Sequence, residues 1–204
     1  VNTIASLDRA LNQSGYFAQT EVKPQLGTPV GTQIPVEVTL TPRKRHTLST
    51  GMGISTDEGI RTRVDYLNRR FNRRGHRISA TGKASFIEQN LSFAYRIPRE
   101  FPQDEWLVFQ GGIKREDTDS FESVENQISV SETKRRPFGI LESHYLEFDR
   151  QKFTIGNETN TSIFLVPGAR WTKSSANDAL YPTRGYSIDF ELRGAADALL
   201  SDTS

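Results

Sequence analysis

The sequence lacks cysteine altogether, contains a single methionine and has no long hydrophobic run. Without cysteine the chain can form neither a disulfide framework nor a reactive thiol. Its mean hydropathy is −0.57, and no stretch approaches the roughly 20 apolar residues that a transmembrane helix needs. A membrane-spanning β-barrel stays open at this point, because its strands carry a much weaker signal than such a helix does.

Motifs for catalysis and for nucleic-acid binding are also missing. The 26 basic and 25 acidic residues give a net charge of +1, so bulk attraction to nucleic acid is not indicated. His46, His76 and His144 lie far apart, without the spacing of a zinc site. The sequence has neither a phosphate-binding loop nor a nucleophile elbow. We therefore expect no enzyme activity, no cofactor, no metal and no nucleic-acid partner.

The strongest pattern that is present is an alternation of apolar and polar residues. Ile60 and Val64 fall on one face of a strand, whereas Arg61, Arg63 and Asp65 fall on the other. A later segment alternates in the same way, with apolar residues at Leu91, Phe93, Tyr95 and Ile97. Such strands fit a soluble antiparallel sheet. They fit equally a membrane barrel with lipid outside and water inside.

The first part of the chain, residues 1–42, predicts a small α+β unit. Helical spacing of apolar residues predicts a helix over 1–17, which Gly15 can end in the left-handed conformation. Strands are predicted over 17–26 and 35–40. About 40 residues are too few for a stable core, so we expect the end of a larger domain and a chain cut from a longer protein.

The remainder, residues 43–204, predicts an all-β domain that begins with a basic cluster at 43–45. Strands are predicted at 46–55, 59–69, 76–86, 89–97, 105–116, 121–134, 138–151, 162–173 and 185–195. In an up-and-down meander, successive connections lie at opposite ends. The acidic or polar connections at 56–59, 116–122 and 155–161 would then share one end. The basic connections would share the other.

These basic connections contain seven candidate residues: Arg69, Arg70, Arg73, Arg74, Lys134, Arg135 and Arg136. The plain interpretation is that they are solvated turns. A sharper hypothesis is that they contact phospholipid headgroups at the periplasmic membrane face, where Lys and Arg gain from anionic lipid.

The last predicted strand helps to choose between the two kinds of sheet. Ile188, Phe190 and Leu192 share one face, and Asp189 and Glu191 share the other, whereas a soluble sandwich carries few charges on its buried face. Aromatic residues lie near strand ends, where membrane girdles form: Tyr66, Phe71, Trp106, Phe138 and Trp171. We predict a mainly β protein, a partial antiparallel up-and-down transmembrane β-barrel of about nine strands. A soluble β-rich binding domain is the alternative.

Three segments also resemble a known family. The chain opens with SLDRALNQSGYFAQTEVKPQL, continues with IPVEVTLTPRKRHTLSTGMGISTDEGIRTRVDY and later reads ALYPTRGYSIDF. The first two resemble the end of the last POTRA domain and its passage into the barrel in the Omp85 superfamily of outer-membrane assembly factors. The third resembles the superfamily's Pro-x-x-Gly turn, here at Tyr181, Pro182 and Gly185. Within the superfamily, the closest likeness is to the outer-membrane subunit of the translocation and assembly module.

The resemblance covers essentially the whole chain and implies a location and a function. Residues 1–42 would be the C-terminal part of a periplasmic POTRA domain, and residues 43–204 the N-terminal part of a bacterial outer-membrane barrel. The family's Arg-Gly-aromatic motif and closing strand are not found here. Members insert outer-membrane proteins without nucleotide hydrolysis. The implied partners are outer-membrane lipid, unfolded outer-membrane proteins such as autotransporters, and an inner-membrane subunit.

The resemblance also suggests two surfaces for strand pairing. A client strand would pair with the first barrel strand, at Thr47, Leu48, Ser49, Thr50, Gly51, Met52, Gly53 and Ile54. The two glycines would weaken this seam, or would merely make room in a crowded lumen. The POTRA strand could add a strand of the inner-membrane subunit at Ile34, Val36, Val38 and Leu40. Another superfamily member, either a general assembly factor or a two-partner secretion transporter, is the alternative function.

Overall fold

The structure, a computed structural model, describes residues 2–25, 34–56, 59–102, 104–118, 120–156, 158–176 and 183–194. The chain divides into two units, Val1–Arg45 and His46–Ser204. We call them the N-terminal unit and the sheet unit, and we describe each on its own.

The N-terminal unit contains one helix and one pair of antiparallel strands. Helix α1 spans Asn2–Gln13, strand β1 spans Phe17–Pro24 and strand β2 spans Val36–Pro42. The helix is shorter than the predicted 1–17, because Gly15 takes a positive φ of 72°, the left-handed conformation that ends helices. The hydroxyl of Thr20 donates to a carboxylate oxygen of Asp8 at 3.2 Å, which ties β1 to the helix.

The sheet unit is a nine-stranded antiparallel sheet in the described residues. Its strands are β3 (His46–Ser55), β4 (Gly59–Asn68), β5 (Arg77–Ala84), β6 (Glu88–Pro98), β7 (Trp106–Thr118), β8 (Phe121–Arg136), β9 (Ile140–Ile155), β10 (Glu158–Ala176) and β11 (Gly185–Arg193). Each strand pairs with its neighbours in the chain, from β3 through to β11. The prediction of a mainly β, antiparallel, up-and-down sheet of about nine strands is therefore confirmed.

The meander gives the sheet two ends of different character. We call the end at which the chain enters β3 the entry end, and the opposite one the far end. The connections at 69–76, 99–105 and 137–139 lie at the entry end. Those at 56–58, 85–87, 119–120 and 156–157 lie at the far end.

Strands at the far end run longer than the sequence predicts. A polar connection was expected over 155–161, but β9 continues to Ile155 and β10 begins at Glu158. The hydroxyls of Thr154 and Thr159 face each other at 3.1 Å across this hairpin. Main-chain hydrogen bonds need no apolar side chains, so the ladder continues where the apolar alternation has stopped.

The apolar side chains of the sheet are not covered by protein. Among the described residues, Ala94 is the one hydrophobic residue that is buried, with 8% of its surface exposed. Ile188, Phe190 and Leu192 are 60%, 59% and 64% exposed. A soluble sandwich would instead bury one face of this sheet against a second layer. No helix in the described part of the chain has the length and apolar character needed to cross a membrane.

Candidate functional site

The candidate edge strand is β3, which holds all eight residues from Thr47 to Ile54 that the sequence indicated. Among the described residues it pairs with β4 alone. Its other edge therefore presents main-chain N–H and C=O groups to which a further strand could add. Met52 and Ile54 project from the apolar face and are 86% and 82% exposed.

A hollow of about 470 Å³ lies beside this edge, lined by residues of β3, β4 and β5 together with Ser85 and Glu88. A Cβ atom added to Gly51 would meet no atom within 4 Å, so this glycine does not make room for a neighbour. A Cβ atom on Gly53 would lie 3.0 Å from Nε of Arg61. The crowded-lumen explanation therefore fits Gly53 and fails for Gly51.

Cationic side chains surround the hollow on the polar face. Arg63 and Lys83 line it together with Arg61. The guanidinium of Arg63 donates to both oxygens of Asp65, at 2.6 and 2.9 Å, and the hydroxyl of Thr81 donates to the same carboxylate at 2.7 Å. The side chain of Arg61 has no acidic partner among the described residues and lies over Gly53, next to the open edge. Sequence reasoning missed this placement, because it depends on the register between β3 and β4.

A second polar network crosses the opposite edge of the sheet, between β9, β10 and β11. The hydroxyl of Tyr145 donates to Glu191, which also accepts from Arg170 at 2.6 Å. The hydroxyl of Thr172 donates to Asp189 at 2.7 Å. These charges are thus paired with one another or with a hydroxyl on one face of the sheet.

Aromatic residues form a band at the entry end. Tyr66, Phe71, Phe138 and Trp171 all lie there, as the sequence indicated for strand ends. Trp106 also lies at this end, but it does not belong to the girdle. Register places it on the polar face, with the guanidinium of Arg77 4.6 Å from the centre of its ring.

The three histidines join this aromatic band. Nδ1 of His46 lies 2.9 Å from the hydroxyl of Tyr66, and the ring of His144 lies edge-on to Trp171, with centroids 6.5 Å apart. Nδ1 of His76 likewise forms a hydrogen bond with the hydroxyl of Tyr95. Each histidine thus supports an aromatic ring. Among the described residues, no group of three or more His, Asp or Glu side chains could hold a metal ion.

The two sets of basic residues occupy different structures. Arg69, Arg70, Arg73 and Arg74 lie in the turn between β4 and β5, as predicted. The prediction of a turn at Lys134, Arg135 and Arg136 is wrong, because these residues complete strand β8 and the turn itself is the short helix Pro137–Gly139. Two residues of the predicted family turn, Tyr181 and Pro182, lie outside the described residues. The third, Gly185, begins β11.

The candidate partner strand of the N-terminal unit is β2. It contains Val36, Val38 and Leu40, and Ile34 precedes it. All of its residues are exposed, and among the described residues it pairs with β1 alone. On β1, Glu21 and Lys23 form an ion pair at 2.6 Å, and the hydrogen bond to Glu21 raises the pKa of Lys23. Charges of this kind discourage pairing at an edge, which leaves β2 as the better candidate.

The arrangement as a whole is a single antiparallel meander with an uncovered apolar face and a polar face that carries paired charges. The solved structure of BamA from Haemophilus ducreyi lacking POTRA domains 1–3 has this fold, with a TM-score of 0.66 and 12% sequence identity. The match covers 95% of this chain and 42% of that one, so the chain spans less than half the length of the structure it resembles. No family model matches the sequence.

Proposed function

We propose that this chain is part of an Omp85-type outer-membrane protein that inserts other outer-membrane proteins, and that it acts as a TamA-like assembly factor. The observation that carries the proposal is the nine-stranded meander with an uncovered apolar face and an open first strand. Hydrocarbon is the solvent that such a face requires. The resemblance of the sequence to the passage from POTRA domain to barrel supports the same conclusion, as does the likeness of the fold to that of BamA.

The proposed mechanism is strand templating at β3. An unfolded client strand adds to the open edge through main-chain hydrogen bonds, which need neither a nucleotide nor a cofactor. Glycine within a strand lowers its stability by roughly 0.5–1 kcal/mol relative to alanine. Gly51 and Gly53 therefore favour a seam that opens readily, and the hollow beside them leaves space for a client side chain.

A second part of the proposal concerns the N-terminal unit. Strand β2 has an open edge and an exposed row of Val36, Val38 and Leu40. We propose that this unit is the end of a POTRA domain in the periplasm and that β2 adds a strand of a TamB-like inner-membrane subunit. Cysteines along β2 that form disulfides with a cysteine in that subunit would support this assignment, and the absence of any such adduct in the active full-length protein would contradict it.

Crosslinking tests the templating mechanism directly. Cysteines placed at Ser49 or Thr50 in the active full-length protein should form disulfides with a cysteine in the terminal strand of an autotransporter client. The matched control is a cysteine at Ser92 on β6, a strand that is already paired on both sides. Adducts at β3 without adducts at Ser92 support templating. If the active protein gives no adduct along β3, the mechanism is wrong.

A BamA-like general assembly factor is the second candidate, and the likeness of the fold to BamA favours it. The two candidates differ in the range of their clients. After depletion of the protein, a TamA-like factor should reduce the assembly of autotransporters, while most other outer-membrane proteins persist. A BamA-like factor should reduce all of them together. If the protein is instead a two-partner secretion transporter, its depletion should leave the assembly of outer-membrane proteins unchanged. One secreted partner protein should then fail to leave the cell.

A further inference from the structure

The turn between β4 and β5, residues 69–76, has a fixed shape. The side-chain oxygen of Asn72 accepts hydrogen bonds from the backbone N–H groups of Arg74 and His76, at 3.0 and 3.2 Å. The N–H of Phe71 donates to the carbonyl oxygen of His76 at 2.7 Å. Gly75 takes a positive φ of 76°, which completes the turn. The arginines of this turn are therefore held in defined positions.

The turn is attached to the apolar face of the sheet. The ring of Phe71 lies edge-on to Tyr95, with centroids 6.3 Å apart, and His76 bonds to the hydroxyl of the same tyrosine. Tyr95 is paired across the sheet with Ile78 and Phe109, both on the apolar face. The turn thus lies beside the surface that would meet lipid.

The arginines of this turn differ from the other cations of the entry end in their partners. Arg70, Arg73 and Arg74 are exposed, and no acidic side chain in the described part of the chain lies within ion-pair distance of them. Four other cations of this end lie in ion pairs with carboxylates, in the pairs Arg99–Glu132, Lys134–Glu132, Arg135–Asp104 and Arg136–Glu142. Of the two basic clusters in the sequence, the one at 134–136 is paired with carboxylates, whereas Arg70, Arg73 and Arg74 of the turn have no such partner among the described residues.

We propose that this turn binds the phosphate of an anionic phospholipid headgroup at the entry-end face of the membrane. Guanidinium groups pair with phosphate through two parallel hydrogen bonds, and aromatic rings such as that of Phe71 favour the level of the headgroups. Arginine stays charged throughout the physiological pH range, so the three guanidinium groups keep their positive charge there. The inference rests on the proposed membrane barrel, and it adds a lipid partner to it.

The experiment compares two triple variants that remove the same charge. One is Arg70→Gln, Arg73→Gln and Arg74→Gln, and the control is Lys134→Gln, Arg135→Gln and Arg136→Gln. The full-length protein is reconstituted in phosphatidylcholine vesicles that contain spin-labelled phosphatidylglycerol. The fraction of immobilised label gives the preference of the protein for the anionic lipid over spin-labelled phosphatidylcholine.

We expect the turn variant to lose this preference by on the order of tenfold, while the control variant keeps most of it. Equal losses in both variants, or no loss in either, would overturn the proposal. Inorganic phosphate in the buffer should not displace the labelled lipid at matched ionic strength. If it does, the turn is a site for free phosphate and the lipid assignment is wrong.

Failure of this inference can be told apart from failure of the proposed function. Resistance of the reconstituted protein to carbonate extraction reports whether it inserts in the membrane at all. A protein that inserts but shows no preference for phosphatidylglycerol contradicts the lipid site alone. A protein that is extracted by carbonate contradicts the membrane barrel and, with it, both proposals.

Discussion

The phenol ring of Tyr145 lies over Gly168, its partner on strand β10, in the space that a side chain at that glycine would need. Its hydroxyl continues to Glu191 on β11. One side chain thus connects three neighbouring strands on the polar face. Aromatic residues that cover a cross-strand glycine are a known means of fixing register.

Replacement of Gly168 by alanine should therefore destabilise the sheet. The new Cβ atom would displace the ring of Tyr145, and overpacking of this kind costs about 1–3 kcal/mol. Urea unfolding of the protein in phospholipid vesicles measures the free energy of unfolding. The matched control is Gly82→Ala on β5, where the added Cβ meets no atom within 4 Å. Equal effects in the two variants would show that Tyr145 adapts without cost.

Removal of only the hydroxyl of Tyr145 should have a smaller effect. In Tyr145→Phe the ring still covers Gly168, and Glu191 keeps its bond to Arg170 at 2.6 Å. We expect a loss of about 1 kcal/mol in the free energy of unfolding, the usual net value of one hydrogen bond. The same urea titration measures it. A loss as large as that of Tyr145→Ala would mean that the hydroxyl, rather than the ring, holds the three strands together.

The two faces of β8 should respond differently to a new charge. Ile128 lies on the apolar face and is exposed, whereas its neighbour Gln127 lies on the polar face. If the apolar face meets lipid, Ile128→Arg should cost about 2–4 kcal/mol near the bilayer midplane, while Gln127→Arg should cost close to nothing. Folding yield and urea unfolding in vesicles measure both. Equal tolerance of the two substitutions would contradict a lipid-facing apolar surface.

The open space at Gly51 gives a test of the weak seam. Valine favours strands, and a side chain at Gly51 would meet no neighbour in this structure. We expect Gly51→Val to strengthen β3, to fill part of the hollow and to reduce crosslinking of a client strand several-fold. Gly82→Val on β5 is the control, since that strand is already paired on both sides. A client yield that falls equally in the control would point to general rigidity instead.

Much of the sheet could be predicted because its physical cause is local. The alternation around Arg61 and Val64 requires only that neighbouring side chains point to opposite faces. The ends of strands depend instead on main-chain hydrogen bonds between neighbouring strands. The first residues of β10, around Thr159, therefore show no apolar alternation in the sequence. Trp106 shows a similar limit. Its face follows from register with β6 and β8, which an isolated segment does not reveal.

The sequence indicated which strand forms the candidate site, but it did not indicate which charged side chains are paired. The family resemblance indicated β3 as the edge strand in advance, since it would be the first strand of the barrel. Which arginines stay uncompensated, however, depends on carboxylates that are distant in sequence, such as Asp104 beside Arg135. Composition gave equal weight to the two basic clusters, and only the arrangement in space separates Arg70, Arg73 and Arg74 from the rest.

The strands of the sheet differ in length, with 10 residues in β3 and 19 in β10. At about 3.4 Å per residue, β3 is roughly 34 Å long and β10 nearly twice that. In the proposed membrane barrel, β3 would just cross the hydrocarbon, whereas β10 would extend well beyond it. If the proposed outer-membrane barrel is correct, reagents added outside the cell should label a lysine at position 152, near the far end of β9, more readily than a lysine placed at position 55, at the far end of β3.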